Sequence, residues 1–250
     1  MPKISALIIT LNEAKNIGHV IENLSFADEI IVVDSFSEDE TVSIAKTYPK
    51  VKVFQHHFED FTRQRNFALS KANHDWILFL DADERLTEPL KKEILNTLKL
   101  RETADAYFFH RKFMFKNKPL YFSGWQTDKN IRLFKKSKSR YTEERLVHEV
   151  LKVDGNLSTF KNKLTHYSYS SFDSYSKKMA CYAHLKAKEL HGKGIKPNAF
   201  HFVIKPFYKF LHNYIIRLGI LDGKKGLIIC YLNALSVYKR YPLLKKMSEK

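Results

Sequence analysis

Glycine is scarce in this chain, eight in 250 residues, and none falls in a phosphate-cradling pattern. Neither GxGxxG nor GxxxxGK followed by Ser or Thr occurs. The backbone amides that hold pyrophosphate in dinucleotide enzymes and P-loop NTPases therefore have no counterpart here. Cysteine is scarcer still. Cys181 and Cys230 lie far apart and form no metal-spaced pair, which fits a reducing compartment better than a disulfide framework. Long apolar runs are missing as well: the longest uncharged one in the C-terminal region, Gly226 to Tyr238, has 13 residues. A membrane-spanning helix needs about 20. The apolar run near the N-terminus is too short for a signal peptide. The expected location is cytoplasmic.

What the chain does contain is enough apolar material for a packed core, 44% hydrophobic with 14% aromatic residues. Its net charge of +16 is unevenly placed. Residues 1–150 carry 24 Lys/Arg against 22 Asp/Glu, whereas residues 151–250 carry 19 against 5. Such asymmetry predicts an anionic partner for the last two-fifths of the chain, either nucleic acid or an anionic membrane surface.

Apolar runs alternate with amphipathic stretches over the first hundred residues. Strands are expected at Ile4–Thr10, Glu29–Val33, Val51–Gln55 and Trp76–Leu80. Helices are expected near Glu13–Leu24, Asp39–Thr47, Phe61–Ala72 and Glu88–Leu98. This spacing predicts βαβ units, a mostly parallel Rossmann-like sheet in an α/β fold, and helices on both faces. Ligands of such sheets sit beyond the carboxyl ends of the strands. Further on, Ala106–Phe115 and Leu120–Phe122 flank a turn at Lys116–Pro119, with strand-like pieces at Ile131–Lys135 and Leu146–Val153. From Ser171 the pattern turns helical and basic.

Three strand ends are rich in acids. Thr10-Leu11-Asn12-Glu13 closes the first strand and reads simply as a helix start, with Asn12 capping. Asp34-Ser35-Phe36-Ser37-Glu38-Asp39 closes the second. Asp34 directly follows a buried run, where a carboxylate commonly accepts from ribose hydroxyls, while Ser37 or Asp39 serves as a helix cap. In Trp76-Ile77-Leu78-Phe79-Leu80-Asp81-Ala82-Asp83-Glu84, three acids in four positions follow five apolar residues. Such a bundle costs Coulomb energy unless a cation sits among it. Asp81 and Asp83 could meet at one Mg²⁺ or Mn²⁺ ion, or the acids could form a solvated turn that caps the next helix.

In this order and spacing, the three strand ends resemble the GT-A-fold glycosyltransferases of family 2. The likeness covers about residues 3–150 and includes the pair Arg65-Asn66. It implies a GT-A catalytic domain over 1–165, with nucleotide-sugar binding in about 1–100 and the acceptor side in about 101–165. It further implies that Thr10, Asn12, Glu13, Asp34 and Arg65 surround the nucleoside. Asp81, Ala82 and Asp83 would hold the nucleotide and a divalent metal, Mn²⁺ or Mg²⁺, on its diphosphate. The donor implied is a UDP-sugar.

An inverting transferase needs a base for the acceptor hydroxyl. The His148-Glu149 pair looks like that of the lipopolysaccharide-core glucosyltransferase branch. Glu149, which follows an apolar pair, competes with His148 for that role, and a structural acid paired with Lys152 is the plainer reading. Trp125 and Arg132 would shape the sugar-acceptor pocket. His166 either returns to the metal or is structural. Residues 166–250 read as a basic helical region, with amphipathic stretches at Lys205–Arg217 and Leu227–Tyr238 suited to lying on the inner face of the cytoplasmic membrane. They equally suit packing on the catalytic domain. The expected acceptor is a lipid-linked or lipopolysaccharide-core glycan. A nucleotidyltransferase would need a basic, Gly-rich loop near the first strand, which is absent. A nucleic-acid-binding module would leave the acidic strand ends unexplained, so no nucleic-acid partner is expected.

Overall fold

The run Ile4–Thr10 is buried at all its positions and forms β1. A strand can bury every side chain only when the sheet is covered on both faces. The computed structural model describes residues 1–116, 118–142, 150–169 and 172–249. After β1 come α1 (Ala14–Asn23), β2 (Glu29–Asp34), α2 (Thr41–Lys46), β3 (Val51–Gln55) and α3 (Phe61–Lys71). Next are β4 (Trp76–Asp81), β5 (Glu84–Arg85), α4 (Glu88–Thr97), β6 (Ala106–Phe115) and β7 (Lys118–Leu120). Then follow β8 (Lys129–Lys135), β9 (Ser139–Thr142), β10 (Val150–Val153), β11 (Leu157–Thr159) and β12 (Leu164–Tyr169). The chain closes with α5 (Phe172–Gly192), α6 (Ala199–Phe202), α7 (Ile204–Leu211) and α8 (Gly223–Ser248).

Two compact units result: Met1–Arg111 with Lys129–His166, and Lys112–Asp128 with Tyr167–Lys250. In the first, the strand order is β3-β2-β1-β4-β8-β6-β12-β5, with β11 also beside β6. The four strands from β3 to β4 are parallel, and β8 continues them antiparallel. Alternation divides the core. Ile4, Ala6 and Ile8 of β1 face Ile17, Val20 and Ile21 of α1 and Leu90 of α4. Leu7 and Ile9 turn the other way, to Ala68 and Leu69 of α3. All four parallel strands therefore deliver their C-terminal ends to one edge.

In the second unit, β7 pairs with the last residues of β6, and Phe113, Phe115 and Leu120 pack with Tyr175 of α5 and Ile229 of α8. The Tyr175 hydroxyl donates to Asn233 Oδ1 at 2.5 Å, satisfying the polar end of a fully buried ring. No described helix is long and apolar enough to cross a membrane.

Several local expectations change. Glu13, not Asn12, stands at the cap of α1, and its side chain makes no capping hydrogen bond. The acidic turn after β4 does not cap α4, because Thr87 does so. Lys118 and Pro119, expected in the turn, belong to β7, and Lys116 sits at φ 47°. Lys205–Arg217 is α-helical only to Leu211 and continues as a π-helical turn, His212–Ile216.

The edge of the sheet opposite the strand ends is held by Glu29, at the start of β2. Its carboxylate accepts from Ser5 Oγ (2.6 Å), Asn73 N and Nδ2 (both 2.7 Å) and Lys52 Nζ (3.3 Å). Burial favours the neutral acid, but these donors outweigh it and lower the pKa from 4.5 to about 2. A depressed carboxylate contributes stability that is complete above 4.5 and lost as the pH falls toward about 2. Glu29→Gln is expected to lower neutral-pH stability by about 1–3 kcal/mol and to flatten the acid limb of stability in that window, as measured by urea unfolding across pH.

Candidate functional site

At the common edge, the loop after β1 is laced to the loop after β2. Asn12, held at φ 55°, donates its backbone N–H to Ser37 Oγ (2.8 Å) and accepts from Glu38 N at Oδ1 (2.9 Å). Glu13 N donates to Thr41 Oγ1 (2.8 Å), and Ala14 N donates to Asp39 Oδ2 (3.1 Å). Asp34 is buried. Its carboxylate accepts from the Ser37 hydroxyl, from Ser37 N at 2.9 Å and from Gln55 Nε2 at 3.4 Å. Asp34 therefore braces the loop instead of lying open at its surface. Thr10 Oγ1, buried at the C-terminal end of β1, has no hydrogen-bond partner among the described residues. A polar group so placed is costly unless something completes it.

The three acids after β4 take different partners. Asp81 is gripped by two arginines, Arg65 Nη2 on Oδ1 (2.8 Å) and Arg132 Nη2 on Oδ2 (2.5 Å). Burial alone would raise the Asp81 pKa, but Arg132, Arg65 and His166 together hold it far below the usual carboxylate range. Arg65 is fixed in turn by the faces of Phe79 (4.7 Å) and Tyr141 (5.7 Å). Asp83 Oδ2 lies 3.1 Å from His166 Nε2. Glu84, fully buried, accepts from Arg132 Nη2 (2.7 Å), Arg111 Nη1 (3.5 Å) and the Asp81 backbone N–H (3.1 Å). Ala82 is buried, and its carbonyl accepts from Arg85, which also donates to Asn16 O and so ties this loop to α1.

Asp81 is held by the two arginines, while Asp83 stands beside His166. Asp83 with His166, a carboxylate oxygen beside an imidazole nitrogen, is a donor pair that Mn²⁺ accepts. No group of three or more His, Cys, Asp or Glu side chains suited to a metal occurs among the described residues. Two protein donors fit the habit of Mg²⁺ and Mn²⁺ in nucleotide sites, where phosphate oxygens and water complete the shell.

Arg132 is a buried brace between Asp81 and Glu84. It also lines a cavity of about 370 Å³ in the first unit, together with Arg65, Asn130, Tyr141 and Leu151. Trp125 belongs to the second unit, where its ring packs 4.1 Å from that of Phe113. His148 and Glu149 lie outside the described residues. Glu84 was counted among the acids, but its partner Arg111 was not anticipated. The signal was present in that count, since a third carboxylate beside a buried strand demands its own cation.

A mixed sheet whose parallel strands present laced loops and an acidic turn at one edge defines the GT-A class of nucleotide-sugar transferase folds. Residues 5–154 match glycosyl transferase family 2, and the chain belongs to that family. Over its length it is also similar to the lipopolysaccharide core biosynthesis glycosyltransferase LpsC of Rhizobium meliloti, at 26% identity over 97% of this chain and 95% of that protein. Among solved structures, mannosyltransferase PcManGT from Pyrobaculum calidifontis, in complex with GDP-Man and Mn²⁺, matches 99% of this chain and 84% of its own. Its TM-score is 0.53 at 17% identity. S. aureus TarS 1-349 in complex with UDP matches 99% and 91%, with TM-score 0.50 at 17% identity. Family membership sets aside the nucleotidyltransferase and nucleic-acid-module readings.

Burial works against the Arg132 charge, but Asp81 and Glu84 outweigh it and raise its pKa. Arg132→Met strands Glu84 as a buried charge short of its closest cation. The expected loss of stability is about 3–5 kcal/mol, checked by denaturant unfolding. Arg132→Lys, which keeps the charge without the planar fork, should fall between this variant and wild type.

Proposed function

We propose that this chain is an inverting glycosyltransferase that moves a hexose such as glucose from UDP-sugar to a lipopolysaccharide-core or other envelope glycan, working in the cytoplasm at the inner face of the membrane. The observation that carries the reading is the division of labour at the end of β4. Asp81 is neutralised by Arg65 and Arg132, and Asp83 stands beside His166. Similarity to LpsC along nearly the whole chain supports the acceptor class.

On this reading, Thr10, Asn12, Glu13 and Asp34 form the wall that receives the base and ribose, with Asp34 acting through the loop it braces. Asp81 retains acceptor capacity, because an ionised carboxylate offers about four lone-pair sites and the two arginines occupy two of them. Those same arginines remove the repulsion that a bare carboxylate would exert on an incoming diphosphate. Asp83 and His166 would hold the divalent metal, which when bound supplies Lewis-acid stabilisation of the departing UDP. Glu149 takes the proton of the attacking acceptor hydroxyl, with His148 as the competing base. Inversion follows from a single displacement at the anomeric carbon, on the face opposite the leaving diphosphate.

Calorimetric titration of UDP with and without Mn²⁺ tests the donor half. Wild type should bind in a metal-dependent way, with Asp83→Ala and His166→Ala each weakening binding about tenfold or more. No nucleoside diphosphate binding under any metal condition would overturn the reading. Glu149→Gln should leave UDP binding intact and lower kcat by about a hundred- to ten-thousandfold. If His148→Gln alone does so, the base is His148.

A further inference from the structure

The second unit turns a tight corner between α7 and α8, and the polarity of that corner is inverted. Of the seven residues 215–221, five are large aliphatics, and every one is well exposed: Ile215 57%, Ile216 65%, Leu218 45%, Ile220 54% and Leu221 62%. Such side chains are ordinarily interior, and clustered outward they mark an interaction surface. Two polar groups of the corner meanwhile turn into the protein, while the Arg217 guanidinium stays partly exposed, 3.4 Å from Thr127 Oγ1. The Asp222 carboxylate accepts from Tyr121 N (3.0 Å), Phe122 N (3.0 Å) and Ser123 Oγ (2.8 Å). The Arg217 carbonyl accepts from Ser123 N (3.1 Å) and Gln126 Nε2 (2.6 Å).

This corner is rigid. Its two buried glycines pack backbone against backbone. A Cβ on Gly226 would lie 1.9 Å from the Gly219 carbonyl oxygen, and one on Gly219 would lie 2.8 Å from Cys230 Sγ. Leu218 is held in the left-handed region at φ 54°, and the preceding turn is π-helical. Strained backbone of this kind persists only where the surroundings over-determine it, and it clusters at functional segments.

We infer that residues 215–221 form a preorganised wedge that inserts into the interfacial region of an anionic phospholipid bilayer. The inference deepens the membrane half of the proposed function and rests on it. Charge selects the occupant. Residues 199–249 carry nine Lys/Arg against two acids, and one of those acids, Asp222, is consumed inside the corner. Lys224 and Lys225 follow the wedge directly. Apolar residues that penetrate about 5–10 Å while cations stay at headgroup level describe an interfacial anchor. A second copy is disfavoured, because a two-fold contact would set these cationic rims against each other. Single-stranded nucleic acid is disfavoured because bases stack on aromatic rings, and the wedge has none.

Vesicle flotation tests the wedge on the full chain. Wild type should float with equimolar phosphatidylcholine and phosphatidylglycerol vesicles, weakly with phosphatidylcholine alone, and progressively less as salt rises. The double variant Ile216→Ser with Ile220→Ser should lose about tenfold or more of its partitioning, with melting temperature and Mn²⁺–UDP titration unchanged because both sites are exposed. An Ile216→Trp variant should show blue-shifted emission on adding the anionic vesicles. Absence of wild-type flotation, or undiminished flotation of the double variant, would overturn the wedge. So would a wild-type dimer that the double variant converts to monomer without vesicle binding, which would assign the corner to a second copy. Failure of wild type to bind UDP, with flotation intact, would sink the transferase reading alone.

Discussion

The fold is organised around the cost of three carboxylates at the end of one buried strand. Two unit charges about 4 Å apart interact by roughly 4 kcal/mol at an effective dielectric near 20. That is a large share of the 5–15 kcal/mol that stabilises a typical domain. The compensating cations come from different elements: Arg65 from α3, Arg111 from β6 and Arg132 from β8. Each must therefore be in place for the acidic turn to be tolerated. β4 and the turn into β5 supply the acids, while β8, antiparallel to β4, and β6 beyond it supply two of the three cations.

Much of this was legible in the sequence because periodicity is local. The seven apolar-rich residues of β1 and the five of β3 appear at the expected bounds, and β2 and β4 each run one residue further, into Asp34 and Asp81. The acids were recognised, but their partners were not, since pairing Asp81 with Arg132 joins positions 51 residues apart. Arg132 was read as a pocket residue, because an arginine in a strand carries no local mark of being buried. β9, β11 and β12 escaped notice for a related reason. β9 and β11 are only four and three residues long, and all three are rich in hydroxyl groups, so neither length nor alternation distinguishes them from loop. Asn12 shows how a local rule yields to tertiary context: its side chain serves the neighbouring loop at Glu38 N, and the first N–H of α1 is met by Asp39 from that loop.

The wedge and the acidic turn use opposite arrangements of the same materials. In the first unit, charge is drawn inward and paired across elements, Asp81 with Arg65 and Arg132, and Glu84 with Arg132 and Arg111. In the second, the Asp222 carboxylate and the Arg217 carbonyl are matched internally while five large aliphatics of the corner stay exposed. Both are loops with their hydrogen-bonding capacity largely spent within the protein, and both leave one kind of chemistry to be satisfied from outside.

That remainder sets what each loop can bind. Asp81 and Glu84 are held by Arg65, Arg132 and Arg111, so the proposed metal donors are the Asp83 carboxylate and the His166 imidazole. A divalent cation held by that pair keeps an excess of about one positive charge. In a partly buried site such an ion is poorly stabilised until an anion arrives. A nucleoside diphosphate brings that charge, and it also supplies the oxygens the coordination shell still lacks. On the proposed assignment, metal and donor nucleotide would be thermodynamically linked, each raising the affinity of the other by the same factor. The two arginines on Asp81 would then make metal binding depend on the diphosphate that completes its shell.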